Sequence, residues 1–166
     1  MLSNSHRRRP SRTVAFMAMA AGLVLAGIGS ASAGQCPAGK VVADGMGQKM
    51  VDFGPKNVTD VVLGSIDVAA APFNIEGRLF RLRRLVIEPG GIVPWHSHAD
   101  RPAIIYTVQG EMTEYASNCA VPILHRAGDA VAETPMVSHW WKNLGRQRAI
   151  LISADLLHDP SDAKTM

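Results

Sequence analysis

Short runs of apolar residues, many of them alternating with polar ones, fill the chain after residue 34. No stretch of ten or more residues there keeps a helical period. The runs predict strands at residues 61–68, 79–87, 92–98, 103–108, 112–116, 121–125, 130–134, 139–142 and 148–156. Many short strands at this spacing are typical of a β-sandwich or a β-barrel.

Turn-forming residues separate these runs and also fill the segment that precedes them. Gly and Pro recur in the turns, as in Glu88-Pro89-Gly90-Gly91. The segment 34–60 is rich in the same residues and is predicted to be an extended N-terminal arm. The body that it covers is predicted to span residues 61–166 as one all-β barrel domain.

The first 33 residues have the pattern of a secretory signal peptide. Four arginines, Arg7, Arg8, Arg9 and Arg12, precede an apolar stretch over 14–28, and the small triplet Ala31-Ser32-Ala33 follows. Since a membrane anchor needs about 20 apolar residues, we expect cleavage near Ala33 rather than a stable anchor. The protein is therefore predicted to be secreted, into the periplasm.

The net charge has a different meaning once this leader is set aside. The chain carries 17 Lys and Arg against 14 Asp and Glu, a formal charge of +3. Subtracting the four leader arginines leaves 13 basic and 14 acidic side chains, which nearly balance. Binding to nucleic acid through phosphate neutralisation has no support in such a composition, and no nucleic-acid partner is expected.

Two cysteines remain after the leader, Cys36 and Cys119. Export to an oxidising compartment would allow one intramolecular bridge between them, which would tie the arm to the body. The alternative is two separate thiols. Neither cysteine is predicted to be catalytic.

Histidines in two separate segments are candidates for metal ligands. His96 and His98 are two residues apart on a predicted strand, so their side chains project to the same face. Taken alone, the pair is equally typical of two surface histidines. A second segment, 128–143, adds His139 and Asn143 and favours the metal site.

Together the two segments resemble the two motifs of the cupin superfamily. The matching positions are Gly90, His96, His98 and Gly110 in the first motif, and Gly128, His139 and Asn143 in the second. The resemblance covers about residues 79–157 and implies a double-stranded β-barrel of the cupin, or jelly-roll, type. It also implies a divalent transition metal bound by His96, His98 and His139.

The sequence departs from both family motifs. Ala103, or Pro102 at the shorter spacing, stands where the first motif has a metal-binding Glu, and the second motif has Thr134 and Met136 around Pro135 in place of Pro-x-Gly. A site of three histidines without the carboxylate resembles the three-histidine iron dioxygenases. Such a site favours an anionic or bidentate oxygen ligand.

Several functions and metals stay open at this point. The resemblance is compatible with a dioxygenase-type oxidoreductase on a small chelating substrate, with a non-catalytic module for a metal or small anion, and with a Lewis-acid isomerase or lyase. Histidines that form only a polar pocket are a further alternative. The metal could be Fe, Zn, Cu or Mn, although loading outside the cell would favour copper or zinc.

Strand alternation predicts the neighbours of the site. Ala103, Ile105 and Thr107 are expected to face the interior, with Trp141 as an apolar wall and Arg101 at the pocket mouth, where it could pair with a substrate carboxylate. Tyr106 and Trp140 are expected to face outward, as candidates for a homodimer surface.

Other charged residues have less specific predictions. Glu111, Glu114 and Glu133 could each supply a base or a substitute ligand, and the choice among them stays open. The arginines Arg78, Arg81, Arg83 and Arg84 are predicted to be a solvated sheet edge, and His125 and His158 are predicted to lie on the surface.

Overall fold

The computed structural model describes residues 35–51, 54–70, 72–134 and 137–158. The predicted signal peptide, residues 1–33, lies outside this part of the chain. The strands are β1 (Lys56–Asp67), β2 (Leu79–Ser97), β3 (Ala103–Gln109), β4 (Glu111–Ala116), β5 (Ile123–Arg126), β6 (Ala130–Glu133), β7 (Ser138–Lys142) and β8 (Ala149–Leu157). Among the described residues, no helix is long and apolar enough to cross a membrane.

The strands form one antiparallel sheet that curls into a nearly closed barrel. Its order is β5-β4-β7-β2-β8-β3-β6, and β1 pairs with β2 outside this series. Sequential strands are often not neighbours: β3 pairs with β6 and β8, and β4 with β5 and β7, although only Gly110 separates β3 from β4. The predicted all-β barrel is confirmed, and no helix interrupts it in the described ranges.

Strand β2 is longer than predicted, and its two halves pair with different strands. The sequence suggested two strands around a turn at 88–91, but the chain stays extended through it. Gly90 takes a φ of 75°, and a Cβ on Gly91 would come within 2.5 Å of Ile87 Cγ2. The glycines thus allow a sharp bend without ending the strand. The first half of β2 pairs with β8 and the second half with β7.

Asn143 holds this bend in place. Its Nδ2 donates hydrogen bonds to the Ile87 and Gln147 carbonyls, and its backbone N–H donates to the Gly91 carbonyl. The Gly90 N–H in turn donates to the Asn143 carbonyl at 2.9 Å. The residue at the end of the second motif therefore fixes the backbone that leads to the histidines of the first.

The barrel interior is filled by residues of alternating parity, as expected for strands with one buried face. The main core cluster consists of Leu85, Ile87, Val93, Ile105, Met112, Val131, Trp141, Ala149 and Leu151. Since these side chains come from β2, β3, β4, β6, β7 and β8, the core forms only when the sheet closes. The candidate histidines lie at one end of this core.

The N-terminal segment packs on the connection between β4 and β5. Cys36 and Cys119 form a disulfide, which confirms the predicted bridge. The Gly47 N–H donates to the Ser117 carbonyl and the Gln48 N–H to the Ala116 carbonyl, at 2.7 and 2.9 Å. Strand β1 begins at Lys56, inside the range predicted for the arm, because residues 56–60 pair with β2.

Candidate metal site

Three histidines from two strands converge at one point of the barrel. His96 and His98 lie on and just after the second half of β2, and His139 lies on β7, directly opposite His96 in the strand register. Their Nε2 atoms form a nearly equilateral triangle, with separations of 3.1 Å for His96–His98, 3.0 Å for His98–His139 and 3.1 Å for His139–His96. The structure thus brings together the three residues predicted as ligands.

The other nitrogen of each ring is held by a hydrogen-bond acceptor. The Nδ1–H groups donate to Pro94 O at 2.9 Å from His96, to Arg101 O at 2.8 Å from His98, and to Glu114 Oε1 at 2.6 Å from His139. A carbonyl or carboxylate oxygen can only accept, so each Nδ1 carries the proton. In a neutral ring the lone pair is then on Nε2, where the three rings meet; the Trp141 indole N–H lies 3.4 Å from Nε2 of His139.

This donor set fits a transition-metal ion. Three nitrogens about 2.1 Å from one ion lie about 3.0 Å apart on one face of an octahedron and about 3.4 Å apart in a tetrahedron. The separations of 3.0 and 3.1 Å match the octahedral face. Imidazole suits Zn, Cu, Fe and Ni alike, so the donors define a class of metal rather than one element.

Burial keeps two of these rings neutral. Desolvation, together with the positive charge that His139 can carry, lowers the pKa of His98 to about 4. The same causes, desolvation first, hold the pKa of His96 well below its ordinary value. A neutral imidazole is the form that binds a metal, so both rings are in the competent state at neutral pH.

Two buried carboxylates lie behind His139. Glu114 accepts hydrogen bonds from His139 and from His125, and although burial opposes its charge, these bonds lower its pKa to about 2. Burial, with a smaller contribution from the neighbouring Glu114, raises the pKa of Glu133 to about 7, although His139 opposes the shift. Burial opposes the charged form of His139, but Glu133 and Glu114 outweigh it and raise its pKa.

The structure distinguishes the three glutamates that the sequence left as candidates for a base or a substitute ligand. Glu114 and Glu133 approach Nδ1 of His139, at 2.6 and 3.6 Å, on the side of the ring away from the three Nε2 atoms. Glu111 is exposed. Glu114 therefore orients a candidate ligand and increases its basicity, as partners of metal-binding histidines commonly do.

His125 does not lie on the surface, and that prediction is wrong. It is buried, its Nε2–H donates to Glu114 Oε2 at 2.8 Å, and its ring stacks on Trp141 with centroids 4.3 Å apart. Alternation with the buried Ile123 on β5 was a signal for this position. His158 is exposed beside Asp100.

A small cavity adjoins the histidines inside the barrel; we refer to it as the inner cavity. It has a volume of about 20 Å³ and is lined by Arg83, Leu85, Val93, His96, His98, Ile105, Trp141, Leu151 and Ser153. Of the predicted pocket residues, Ile105 and Trp141 line it. Ala103 and Thr107 are buried as predicted but do not line it.

A wider depression, the outer bowl, lies on the other side of His96. It has a volume of about 300 Å³ and is lined by Trp95, His96, Ser97, Ala99, Asp100, Arg101, Leu157 and His158. Arg101 contributes to its wall, but its side chain is largely buried and lies 3.6 Å from Asp155. Its pairing with a substrate carboxylate stays a prediction.

Two of the arginines predicted to form a solvated edge, Arg81 and Arg83, are buried, whereas Arg84 is exposed. Arg81 donates two hydrogen bonds to Asp155, at 3.0 and 2.7 Å, and Arg83 lies 3.3 Å from the same carboxylate and 2.5 Å from Asp60. Both arginines and Asp155 are buried. The prediction failed because Arg81 and Arg83 share the inward parity of Leu85 and Ile87, a signal that the sequence contains.

The two aromatic residues predicted to face outward, Tyr106 and Trp140, differ in their exposure to solvent. Tyr106 is exposed, as expected. Trp140 is buried and stacks on Tyr115, with centroids 4.0 Å apart and planes inclined by 7°. The prediction of an exposed Trp140 is wrong because Tyr115, its register partner on β4, packs against it.

Comparison with known proteins assigns the fold. The protein is a small β-barrel that presents three histidines at one end. Residues 83–155 match the family profile described as a cupin domain. These residues therefore form a cupin domain. Among curated proteins, none matches the sequence.

Solved structures resemble this barrel at low sequence identity. A predicted oxalate decarboxylase from Thermotoga maritima is 17% identical, with a TM-score of 0.50 over 74% of this chain and 98% of that chain. An RmlC-like cupin from Shewanella frigidimarina is 19% identical, with a TM-score of 0.49 over 74% and 94%. An oxalate oxidase, solved with the substrate analogue glycolate, is 22% identical, with a TM-score of 0.48 over 68% of this chain and 57% of its own. The likeness to the Thermotoga maritima protein concerns the fold alone.

Proposed function

We propose that this cupin binds a divalent transition metal through Nε2 of His96, His98 and His139, and that it is a dioxygenase-type oxidoreductase acting on a small chelating substrate. The observation that supports the proposal is the triangle of three Nε2 atoms, each with its Nδ1 proton committed to an acceptor. Three Nε2 atoms about 3 Å apart are placed to bind one cation together.

The protein residues have separate roles in this proposal. The three imidazoles would occupy one face of the metal and leave the opposite face to oxygen and substrate. Glu114 keeps His139 in the correct tautomer, since its charge favours the proton on Nδ1. Trp141, Leu85 and Ile105 make the inner cavity apolar, which excludes water from the reacting groups. The metal, when bound, would supply Lewis acidity and a route for electrons.

The position of the carboxylates favours oxygen chemistry over a Lewis-acid isomerase or lyase. An isomerase needs a general base beside its substrate, within about 3 Å of the proton that it removes. Of the described residues that line the inner cavity, none carries a carboxylate, and Asp100 on the wall of the outer bowl is paired with Arg78 and His158. Glu114 and Glu133 lie behind His139 instead. A catalyst that takes its reactivity from a metal and oxygen does not require such a base.

A non-catalytic module for a metal or a small anion is the second candidate. The inner cavity supports it, because about 20 Å³ is room for only one or two water-sized groups. Such a module would bind metal with the same three histidines. It would differ by showing no oxygen consumption with any substrate.

Metal content and oxygen uptake test the two candidates. Protein purified from its native compartment should contain about one equivalent of Fe, Cu, Zn or Mn by elemental analysis, and His139→Ala should contain little. His158→Ala is the control, because His158 is exposed and lies on the wall of the outer bowl but is not one of the three grouped histidines. Unchanged metal in His139→Ala would refute the three-histidine site. Oxygen uptake over a panel of diketones, thiols and catechols separates the enzyme from the binding module.

Export is part of the same proposal. The Cys36–Cys119 disulfide supports it, since such bonds persist mainly in oxidising compartments. The mass and N-terminal sequence of the protein isolated from the periplasm should correspond to a chain that begins near Gly34. A chain recovered from the cytoplasm with Met1 in place would contradict this.

A further inference from the structure

Two buried hydrogen-bond donors on the wall of the inner cavity have no acceptor. Arg83 Nε and Ser153 Oγ are both inaccessible to solvent, and neither has a hydrogen-bond partner. Both residues line the inner cavity. A buried donor without a partner costs about 1 to 3 kcal/mol, and more when it is charged, so one such group needs an explanation and two in one small space need a common one.

The fold places these donors side by side. Arg83 on β2 and Ser153 on β8 are direct partners in the strand register, and both side chains point into the barrel. Arg83 lies within ion-pair distance of Asp60 through Nη1 and of Asp155 through Nη2. These ion pairs fix the guanidinium in position, and its Nε–H has no hydrogen-bond acceptor.

The rest of the wall is apolar except for two histidines. Leu85, Val93, Ile105, Trp141 and Leu151 surround the space. In such surroundings a guanidinium N–H forms short, strong hydrogen bonds to a negatively charged oxygen, and water competes poorly. His96 lines both the inner cavity and the outer bowl, so a ligand held in the cavity lies next to a candidate metal ligand.

We propose that Arg83 and Ser153 form a subsite for the carboxylate of a small organic acid. One carboxylate oxygen accepts from Arg83 Nε and the same group accepts from Ser153 Oγ. A cavity of about 20 Å³ accommodates a carboxylate and little more, so the remaining atoms of a larger acid lie beside His96. This inference rests on the proposed function for its chemistry, because it specifies the chelating substrate as a small carboxylic acid, but the subsite itself requires no metal.

Binding of formate tests the subsite. The purified protein, both loaded with zinc and stripped with a chelator, is titrated with formate at constant ionic strength and followed by tryptophan fluorescence, to which Trp141 on the cavity wall contributes. Formamide, the neutral analogue of the same size, serves as the uncharged probe. We expect formate to bind in both preparations and formamide to leave the signal unchanged.

Substitutions assign the binding to the two donors. Ser153→Ala removes one hydroxyl from the cavity and leaves every histidine and arginine in place; it should weaken formate binding about tenfold or more, as expected for a hydrogen bond to a charged group. Thr107→Val is the matched control, because Thr107 is an equally buried hydroxyl of the same barrel that does not line the cavity. It should bind formate like the parent protein.

The outcomes separate this subsite from the metal site. Equal formate affinity in Ser153→Ala and the parent protein would overturn the subsite, as would equal responses to formate and formamide, which would indicate that water satisfies the donors. Formate binding that requires zinc and ignores Ser153 would overturn it too, while leaving the metal proposal intact. Binding that depends on Ser153 in a protein that takes up no metal would support the subsite and remove the metal function.

Discussion

His96 on β2 lies directly opposite His139 on β7, and their Nε2 atoms are 3.1 Å apart. This pairing joins two segments that are 43 residues apart in the sequence. It exists because β2 bends at Gly90 and Gly91 and changes partner from β8 to β7. The geometry of the candidate metal site therefore depends on the bend in β2, which brings His96 opposite His139 of β7.

Glu114 should control metal affinity although it is not a candidate ligand. Glu114→Gln keeps the shape of the side chain but removes the charge that holds the proton on Nδ1 of His139. Metal affinity should fall about 10- to 100-fold, measured by competition with a chromogenic chelator. Glu111→Gln, on the same strand but exposed, is the control and should bind like the parent protein. Equal affinities of both variants would contradict the assigned role.

In the metal-free protein, His98 should lower stability in acid, whereas Glu133, whose pKa is raised to about 7, acts in the opposite sense and should offset part of the loss. The pKa of His98 is about 4 when folded, below its ordinary value of 6.5, so the unfolded chain takes up a proton first as the pH falls. Stability from this group is complete above pH 6.5 and declines towards pH 4, by about 3 kcal/mol in all. Guanidinium unfolding at pH 7, 5.5 and 4.5 measures the decline. His98→Gln should show a smaller one; parallel losses would argue against this origin.

Asp155 should be among the most sensitive residues outside the histidines. It accepts two hydrogen bonds from Arg81 and lies beside Arg83 and Arg101, all of them buried. Asp155→Asn should lower the free energy of unfolding by about 3 to 5 kcal/mol, because buried positive charges lose their counter-ion.

The exposed pair between Asp100 and Arg78 provides the comparison. Asp100→Asn should cost at most about 1 kcal/mol, since solvent screens that pair. Denaturant midpoints of Asp155→Asn and Asp100→Asn measure the two losses of stability. Similar small losses would show that the buried cluster around Asp155 contributes little to the free energy of unfolding.

The disulfide should stabilise the arm on the barrel. Replacing both Cys36 and Cys119 by Ser should lower the free energy of unfolding by about 2 to 5 kcal/mol, because the bridge restricts the unfolded chain. The arm also has backbone hydrogen bonds to Ser117 and Ala116, so it should remain attached. Calorimetry measures the loss and limited proteolysis the attachment. An unchanged melting temperature would refute the prediction.

A homodimer through the outer face of the sheet stays a prediction. Phe80, Leu82, Ile104, Tyr106 and Val108 are exposed on β2 and β3, the two strands that flank β8. Apolar surface of this kind marks association sites in many proteins. Light scattering should give twice the mass of one chain, and Ile104→Lys should halve it. Val62→Lys on β1 is the control, and a monomeric parent protein would end the argument.

Local sequence was sufficient for most strands but not for their partners. The predicted strands at 103–108 and 112–116 correspond to β3 and β4, because a period of two is set by the backbone itself. The break predicted at 88–91 was wrong because two glycines permit a bend as readily as a turn. Nothing local reveals that the strand continues, since its hydrogen bonds come from β7 and β8.

The same distinction applies to the site. His96, His98 and His139 could be named from motif spacing, whereas the contacts of Glu114 with His139 and His125 became visible only when β4 paired with β5 and β7. Arg83 and Ser153 are a register pair on strands that are 70 residues apart. A contact at that separation has no local signal, because its position depends on the whole sheet.

The sequence by itself determined the alternation of buried and exposed residues, the identity of the three candidate ligands and the absence of a carboxylate at Ala103. It did so because these features depend on residue type and on spacing along one strand. Only the tertiary structure decided which polar residues surround the site: Glu114 behind His139, Asp155 among arginines, and two donors facing an apolar cavity. The reason is physical, since burial and pairing of charges are consequences of closing the barrel.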